Sequence, residues 1–279
     1  MTRVLKAVWP WLLFFGLIAA ILYGVTADVR WDAVYKSLPR LFEGALLTLE
    51  LVGISVVVGL ILALPLGIAR ASGNIWIGAL PYVYIFFFRG TPLLVQLFLL
   101  YYGLSQFDSV RESAIWAGSH VQTTLDLGFH RWALDFKIPG LREPFVCAVV
   151  TMTLHTAAYI AEIIRGALRA VPQGEIEAAR ALGMSYAQSM RHIILPRAAR
   201  IGLPAYSNEV ILMLKASALA STITLMELTG MAQTIISRNY LSTEIYFAAG
   251  LFYLLISFVL VQAFRLLERW LRVDALQGR

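Results

Sequence analysis

The chain has 279 residues, of which 59% are hydrophobic and only 14% charged, with a formal net charge of +6. A soluble domain carries about 25% charged residues and roughly 45–50% apolar ones, so this composition, with a mean hydropathy of +0.72, describes a membrane protein. The small positive charge argues against a nucleic-acid partner, because the arginines lie beside the apolar runs, as expected of the cytoplasmic ends of spans.

A bilayer-crossing helix needs about 20 predominantly apolar residues. The first such run is Val8–Val25, preceded by Arg3 and Lys6. A basic start and an apolar core also describe a secretory signal, but no small-x-small cleavage site follows Tyr23 convincingly, which favours a retained anchor. Residues 1–43 are therefore expected to hold an anchor helix and an external linker. The second run, Gly44–Ile68, is closed by Arg70. The third, Ile75–Leu104, is too long for one straight crossing at about 1.5 Å per residue, and Arg89-Gly90-Thr91-Pro92 interrupts it. Proline inside a helix removes a hydrogen bond and breaks or kinks the rod, so two helical pieces should meet at this elbow, with Pro92 starting the outward one.

The stretch Ser105–Glu143, with mixed charges and Trp116, Phe129 and Trp132, should lie outside and hug the interface. Apolar runs return at Pro144–Ile164, followed by Arg165 and Arg169, then at about Ile201–Ala220 and Ile245–Leu266. The expected fold is an all-α polytopic membrane protein of about six helices. Six crossings place both termini on one side, and Arg3, Lys6, Arg265, Arg269 and Arg272 make that side cytoplasmic. Cys147 sits alone inside an apolar run, as a small packing residue does.

Between the fourth and fifth of these runs lies a polar island, expected at 172–197. Glu175–Ala181 is rich in strong helix formers. Gly183 follows where a left-handed residue can end a helix, and Ser185 can cap a second helical stretch, Tyr186–Ile194, that Leu195-Pro196 should stop. The prediction is a helix-turn-helix across the membrane surface, able to dock as a rigid knob. Its pattern, E-A-A-x3-G-x9-I-x-L-P, is filled by Glu177, Ala178, Ala179, Gly183, Ile193, Leu195 and Pro196. It resembles the cytoplasmic coupling loop of ABC-importer permeases.

The resemblance extends from about Phe42 to Arg269. It covers Arg89-Gly90-Thr91-Pro92-Leu93-Leu94-Val95-Gln96, Tyr101–Phe107, Val171–Pro196, Leu203–Met213 and Ala220–Thr224. The wording is similar to M-type permease subunits of the polar amino acid uptake family, those of the histidine/lysine/arginine/ornithine and octopine permeases. That resemblance implies a type I ABC-importer transmembrane domain at 44–268, with a cytoplasmic tail at 269–279 and an anchor helix added to the family's usual five. It implies a bacterial inner-membrane importer of basic amino acids or an opine. The implied partners are two ATPase subunits that bind ATP and Mg, a Q-type sister permease and a periplasmic binding protein, all within membrane lipid. The chain itself has no G-x-x-x-x-G-K-[ST] loop and is expected to bind no cofactor.

Ionisable side chains inside a span cost roughly 2.5–3.5 kcal/mol at its centre and usually face a cavity or a partner. Glu209 is the clearest case, beside Asn208. Asn208 and Lys215 share a helix face, while Glu209 points about 100° away from Asn208. Either Glu209 or Asn208 meets a cationic substrate, or both belong to an internal network; the residues alone leave both readings open. Glu50 could add negative potential near the outer end or be a plain interfacial acid. Gln96, Tyr101 and Tyr206 offer hydrogen-bonding tips and aromatic faces suited to a cation, although aromatic residues in spans usually pack. His155 reads as a packing histidine, and Glu162 and Arg165 have the spacing of a helical ion pair. No H-E-x-x-H or G-x-S-x-G supports a membrane enzyme. A secondary transporter or channel would leave the polar loop without a role.

Overall fold

The structure is a computed structural model that describes Gly16 and residues 30–126, 131–138 and 140–271. The expected anchor run Val8–Val25 (Gly16 apart), Phe129, and the tail from residue 272 lie outside the described residues. The membrane part is all-helical. Three helices are long and apolar enough to cross a membrane without a break, α1 (Trp31–Ala71), α6 (Pro144–Arg169) and α11 (Ser242–Trp270), and two bent helix pairs pass the same test when each is taken as one span. The first bent one joins α2 (Ile75–Gly90) to α3 (Leu93–Phe98), which runs on through a π turn and a 3₁₀ turn to Gln106. The second joins α9 (Leu195–Ala216), extended by a 3₁₀ turn to Ile223, to α10 (Leu228–Asn239).

Between α3 and α6 lie two single-turn helices, α4 (Asp108–Arg111) and α5 (Ala114–Ala117), and an antiparallel hairpin of β1 (Ser119–Asp126) and β2 (Arg131–Ile138). Ser119 pairs with Ile138 and Asp126 with Arg131. This hairpin is the one departure from helix among the described residues, and it stands apart from the membrane bundle. The chain re-enters the bundle through Gly140, where a Cβ would stand 2.2 Å from the Trp116 carbonyl oxygen.

Helix α1 begins thirteen residues earlier than the hydropathy of the sequence suggests. Its 41 residues rise about 60 Å at 1.5 Å each, twice the roughly 30 Å hydrocarbon layer. The extra turns, with Asp32, Lys36, Arg40 and Glu43, are too polar to count as a span. They are amphipathic instead: Val34, Leu38, Leu41 and Ala45 recur at helical spacing and pack on Leu228, Ala232 and Ile235 of α10 and Ile245 and Ala248 of α11. The Trp31 ring stands edge-on to Phe247 at 6.5 Å, so α1 and α11 run parallel from this end.

Helices α1 and α6 make the tightest contact. Ser55, Gly59, Ala63 and Gly67 recur every four residues and form one buried stripe on α1. Lipid tails are as apolar as leucine, so helices in a membrane associate by close van der Waals packing, which small residues permit. A Cβ on Gly59 would lie 3.2 Å from Thr156, and one on Gly67 only 2.8 Å from the Ala161 carbonyl and from Ile164. A second centre forms where Leu51 and Val52 of α1, Leu97 of α3, Met152 of α6 and Met213 of α9 meet, with Cys147 buried among them. Helix α9 runs back along α6, with Gly202 against Ala167.

Gly67→Val should push α1 off α6 and cost about 1–3 kcal/mol, read as a lower Tm of the solubilised protein. Gly53→Val, at a position where a Cβ meets nothing within 4 Å, should stay within about 0.5 kcal/mol of wild type. Equal effects at both sites would refute close packing along the stripe.

Candidate functional site

The polar island folds as a helix-turn-helix of α7 (Gln173–Ala181) and α8 (Tyr186–Ser189). Gly183 takes φ +75°. Its N–H bonds the Arg180 carbonyl at 2.9 Å and the Met184 N–H bonds that of Ala179 at 3.1 Å, which pairs the carbonyls left open at the end of α7. Ser185 and Gln188 then form a reciprocal capping box for α8. Leu195-Pro196 does not stop the second helix. A π turn, Met190–Ile194, carries it into α9, and the Leu195 N–H reaches back to Met190. Proline lacks an N–H and crowds the preceding turn; the wider π turn absorbs both defects. Loop and span are thus one helical rod from Tyr186 to Ile223.

The pattern residues divide between anchoring and display. Ala179 is buried, Ile193 and Leu195 are half-buried, and Glu177, Ala178, Gly183 and Pro196 are exposed. Beneath them Leu168, Val171, Ile194 and Ala198 form an apolar cluster with Ile68 and Ile176 around it. Arg197 Nη2 reaches Glu175 Oε1 at 3.1 Å and ties the base of α9 to α7. At the tip Leu182 is 81% exposed and Tyr186 73%. Both fall between the fixed positions of the pattern, which is why the pattern alone does not single them out.

The two bent crossings are held by buried polar side chains. At the elbow the helix turns through 101°, leaving the last carbonyls of α2 without helical partners. Gln96 Nε2 donates to the Phe88 carbonyl at 2.8 Å, to the Thr91 carbonyl at 3.0 Å and to Thr91 Oγ1 at 2.7 Å. Its Oε1 meets His155 Nδ1 at 3.1 Å, so Gln96 buckles the elbow to α6. The second break turns through 47° after Thr224, in the left-handed region at φ 67°. Glu227 is fully buried there. Its carboxylate accepts from the Thr229 and Gly230 N–H groups at 3.0 and 2.9 Å and from the Tyr253 hydroxyl at 2.9 Å. Thr48 of α1 stands 3.4 Å away and accepts the Leu228 N–H at 3.1 Å. One residue therefore joins α1, α10 and α11; the nearby Gly230, where a Cβ would clash with the Leu225 carbonyl, is the local sign of the break, and no proline marks it.

The remaining candidate path residues do not converge. Tyr101 packs edge-on to Tyr102 at 4.9 Å, and Tyr206 edge-on to Phe264 at 6.0 Å. Asn208 and Glu50 are exposed, on different helices. Asn208, Leu212 and Lys215 form an exposed stripe along α9. Glu209 is 7% exposed and faces into the chain. It has no hydrogen bond or ion pair among the described residues, and Arg89 is near enough to act on it electrostatically. Arg89 itself lies 3.8 Å from Glu162 and 5.2 Å above the Tyr159 ring, while Glu162 also accepts from Arg165 Nε at 2.9 Å. Arg70, Phe86, Arg89, Tyr159 and Glu162 line a cavity of about 340 Å³, where a cation, a carboxylate and aromatic faces are brought together. Among the described residues no cluster of His, Cys, Asp and Glu could hold a metal ion.

Broken spans around a helical core, with a docking loop spliced into one of them, define a membrane-embedded component of a multi-subunit transporter. The chain belongs to the family of binding-protein-dependent transport system inner membrane components, whose pattern matches residues 55–273. It is 44% identical over 235 residues to the octopine transport system permease protein OccM of Rhizobium radiobacter, covering 84% of this chain and 87% of that one. It is 42% identical over 253 residues to the histidine/lysine/arginine/ornithine transport system permease protein HisM of Escherichia coli K12, covering 90% and 95%. A crystal structure of an amino acid ABC transporter with histidines superposes with a TM-score of 0.71 at 33% identity, over 87% of this chain and 99% of that one. The chain is a transport subunit of an ABC importer and not an enzyme; ATP hydrolysis belongs to separate ATPase subunits.

Glu227→Ala should leave the Thr229 and Gly230 N–H groups unpaired and cost the Tyr253 hydroxyl one of its partners, Thr229 Oγ1 remaining. The expected cost is about 3 kcal/mol at 1–3 kcal/mol per orphaned group after partial relaxation, with Glu227→Gln intermediate. Gln96→Leu should destabilise by a similar amount. Thermal unfolding in nanodiscs checks both; a Glu227→Ala protein as stable as wild type would contradict the pinning role.

Proposed function

We propose that this chain is the M-type permease of an ATP-driven importer that carries basic amino acids, or an opine built from one, across the bacterial inner membrane. The observation that carries this reading is the continuity of the docking loop with the span Tyr186–Ile223. A partner that moves Leu182 and Tyr186 moves the membrane rod with them, which neither a channel nor a secondary transporter requires. Two ATPase subunits, holding ATP and Mg, dock at Glu177–Gly183 and at the exposed tip. A Q-type sister permease completes the translocation path, and a periplasmic binding protein delivers the substrate. Both termini lie in the cytoplasm, with an anchor run ahead of α1, the permease domain from α1 to residue 268, residues 31–43 included because they pack on α10 and α11, and the tail at 269–279. ATP sets the direction because it binds the two conformations unequally.

The substrate reading rests on the names of the relatives and on the cavity beside the elbow. Arg89 can take the α-carboxylate, Glu162 a cationic group, and Tyr159 and Phe86 can face a guanidinium or imidazolium. Asn208 on its exposed stripe, and Glu50, remain candidates for the path shared with the sister subunit. Glu209, facing inward, would act on substrate only through this cavity.

Proteoliposomes holding the assembled transporter should take up labelled arginine or histidine with ATP and lose most of that uptake in Arg89→Gln, while Gly53→Val keeps it. Gly183→Val forces a β-branched residue to φ +75°, a conformation that costs of order 1–3 kcal/mol. It should hydrolyse ATP without transport. Uptake unaffected by ATP depletion under a constant ion gradient would overturn the proposal, and normal uptake by Gly183→Val at normal insertion would count against the docking role.

A further inference from the structure

A cavity of about 420 Å³ lies between the docking loop and the ends of α1 and α6, distinct from the elbow cavity. We propose that it binds the phosphate headgroup of an anionic phospholipid. Three observations carry this. First, Arg169 and Arg180 both line the cavity, one from the end of α6 and one from α7, and neither has an ion pair or hydrogen bond among the described residues. No aspartate or glutamate lines it; Glu175, the acid of the first turn of α7, is spent on Arg197. The last turns of α1 and α6 each bring about half a negative charge, which leaves a net positive cavity once two full arginine charges are counted.

Second, the cavity holds an unused donor. Ser189 is 4% exposed, lines the cavity, and its hydroxyl has no hydrogen-bond partner. A buried hydroxyl left unpaired costs free energy, and a serine within a helix usually bonds a carbonyl of the preceding turn. At Ser189 no such bond forms.

Third, the other walls are apolar. Ile68, Leu168 and Met190 face the same space, and Ile68 belongs to the last membrane turns of α1. A free phosphate ion could use the arginines and the serine but not these walls. A phospholipid uses all of them, with its phosphate between the arginines and its glycerol and first methylenes along Ile68 and Leu168. A zwitterionic headgroup would set its ammonium against the arginines, so a lipid of net negative charge such as phosphatidylglycerol is selected. The site lies directly under the docking loop, so an occupied cavity would brace α7 against the membrane ends of α1 and α6.

Native mass spectrometry of the complete transporter, titrated with phosphatidylglycerol, phosphatidylethanolamine or inorganic phosphate, tests the assignment. One phosphatidylglycerol should be retained per copy of this chain, in preference to phosphatidylethanolamine, and should resist millimolar phosphate. Arg169→Gln with Arg180→Gln should weaken retention about 30-fold, from the usual contribution of basic residues at an anionic surface. The paired Arg→Lys variants should keep most of it, and Arg191→Gln, on the same loop but outside the cavity, should keep all. Equal retention of the two lipids, or an unaffected Arg→Gln pair, would overturn the proposal. Displacement of the lipid by phosphate would reassign the site to the free ion. The wild-type titration separates these outcomes even if the double variant fails to assemble.

Discussion

Inside a bilayer no water is available to pair an N–H or a carbonyl, so every backbone group must find its partner within the protein. An unbroken helix meets this condition by itself. A broken one does not, and this chain has two broken crossings. Each is closed by one buried side chain of matching chemistry. At the elbow the open groups are carbonyls, and the residue that closes them is a donor, Gln96. At the second break the open groups are N–H donors at the start of α10, and the residue that closes them is an acceptor, Glu227. A carboxylate also complements the positive end of the helix it caps. In both cases the side chain spends its remaining polarity on a neighbouring helix, Gln96 on His155 and Glu227 on Tyr253. The breaks are therefore fastened to the bundle.

This division explains how a small loop can work a membrane domain. The rod from Tyr186 to Ile223 begins in the docking loop and ends at the Glu227 break. Its base is clamped by the Arg197–Glu175 pair and by the apolar cluster around Val171 and Ile194. In the proposed coupling, force applied at the loop would pass along α9 to the cluster where Met213, Leu51 and Met152 meet. The stripe of small residues from Ser55 to Gly67 holds α1 and α6 together as the stationary part against which this rod can move.

Much of this is written in the sequence where residue type and position are both constrained. Gly183 and Ser185 mark the turn of the docking loop because few other residues fit a positive φ or cap a helix. Gly90-Thr91-Pro92 marks the elbow because proline, lacking an N–H, cannot continue α2. Pro196 misleads, since its meaning depends on whether the preceding turn widens, and that is settled by the apolar cluster beneath the loop. Residues 31–43 escape a hydropathy reading because their burial is against α10 and α11 rather than lipid, so only an amphipathic period betrays them. The four-residue spacing of Ser55, Gly59, Ala63 and Gly67 is visible but gains meaning only once α6 is known to lie opposite. Gly230 hints at the second break, but nothing local marks Glu227 as the residue that closes it. Its role exists only when Thr48 and Tyr253, far away in sequence, are folded around it. The same holds at Asn208 and Glu209, adjacent residues that the fold sends to opposite environments.

The proposed coupling requires the polar loop and its span to move as one rod. Pulsed dipolar spectroscopy on the assembled transporter, with spin labels at Tyr186 and Thr222, measures this directly in nucleotide-free and ATP-trapped states. A rigid rod predicts an unchanged distance between those two labels, while a pair at Tyr186 and Ile54 on α1 changes. A distance between Tyr186 and Thr222 that shifts by several ångströms between the two states would contradict it.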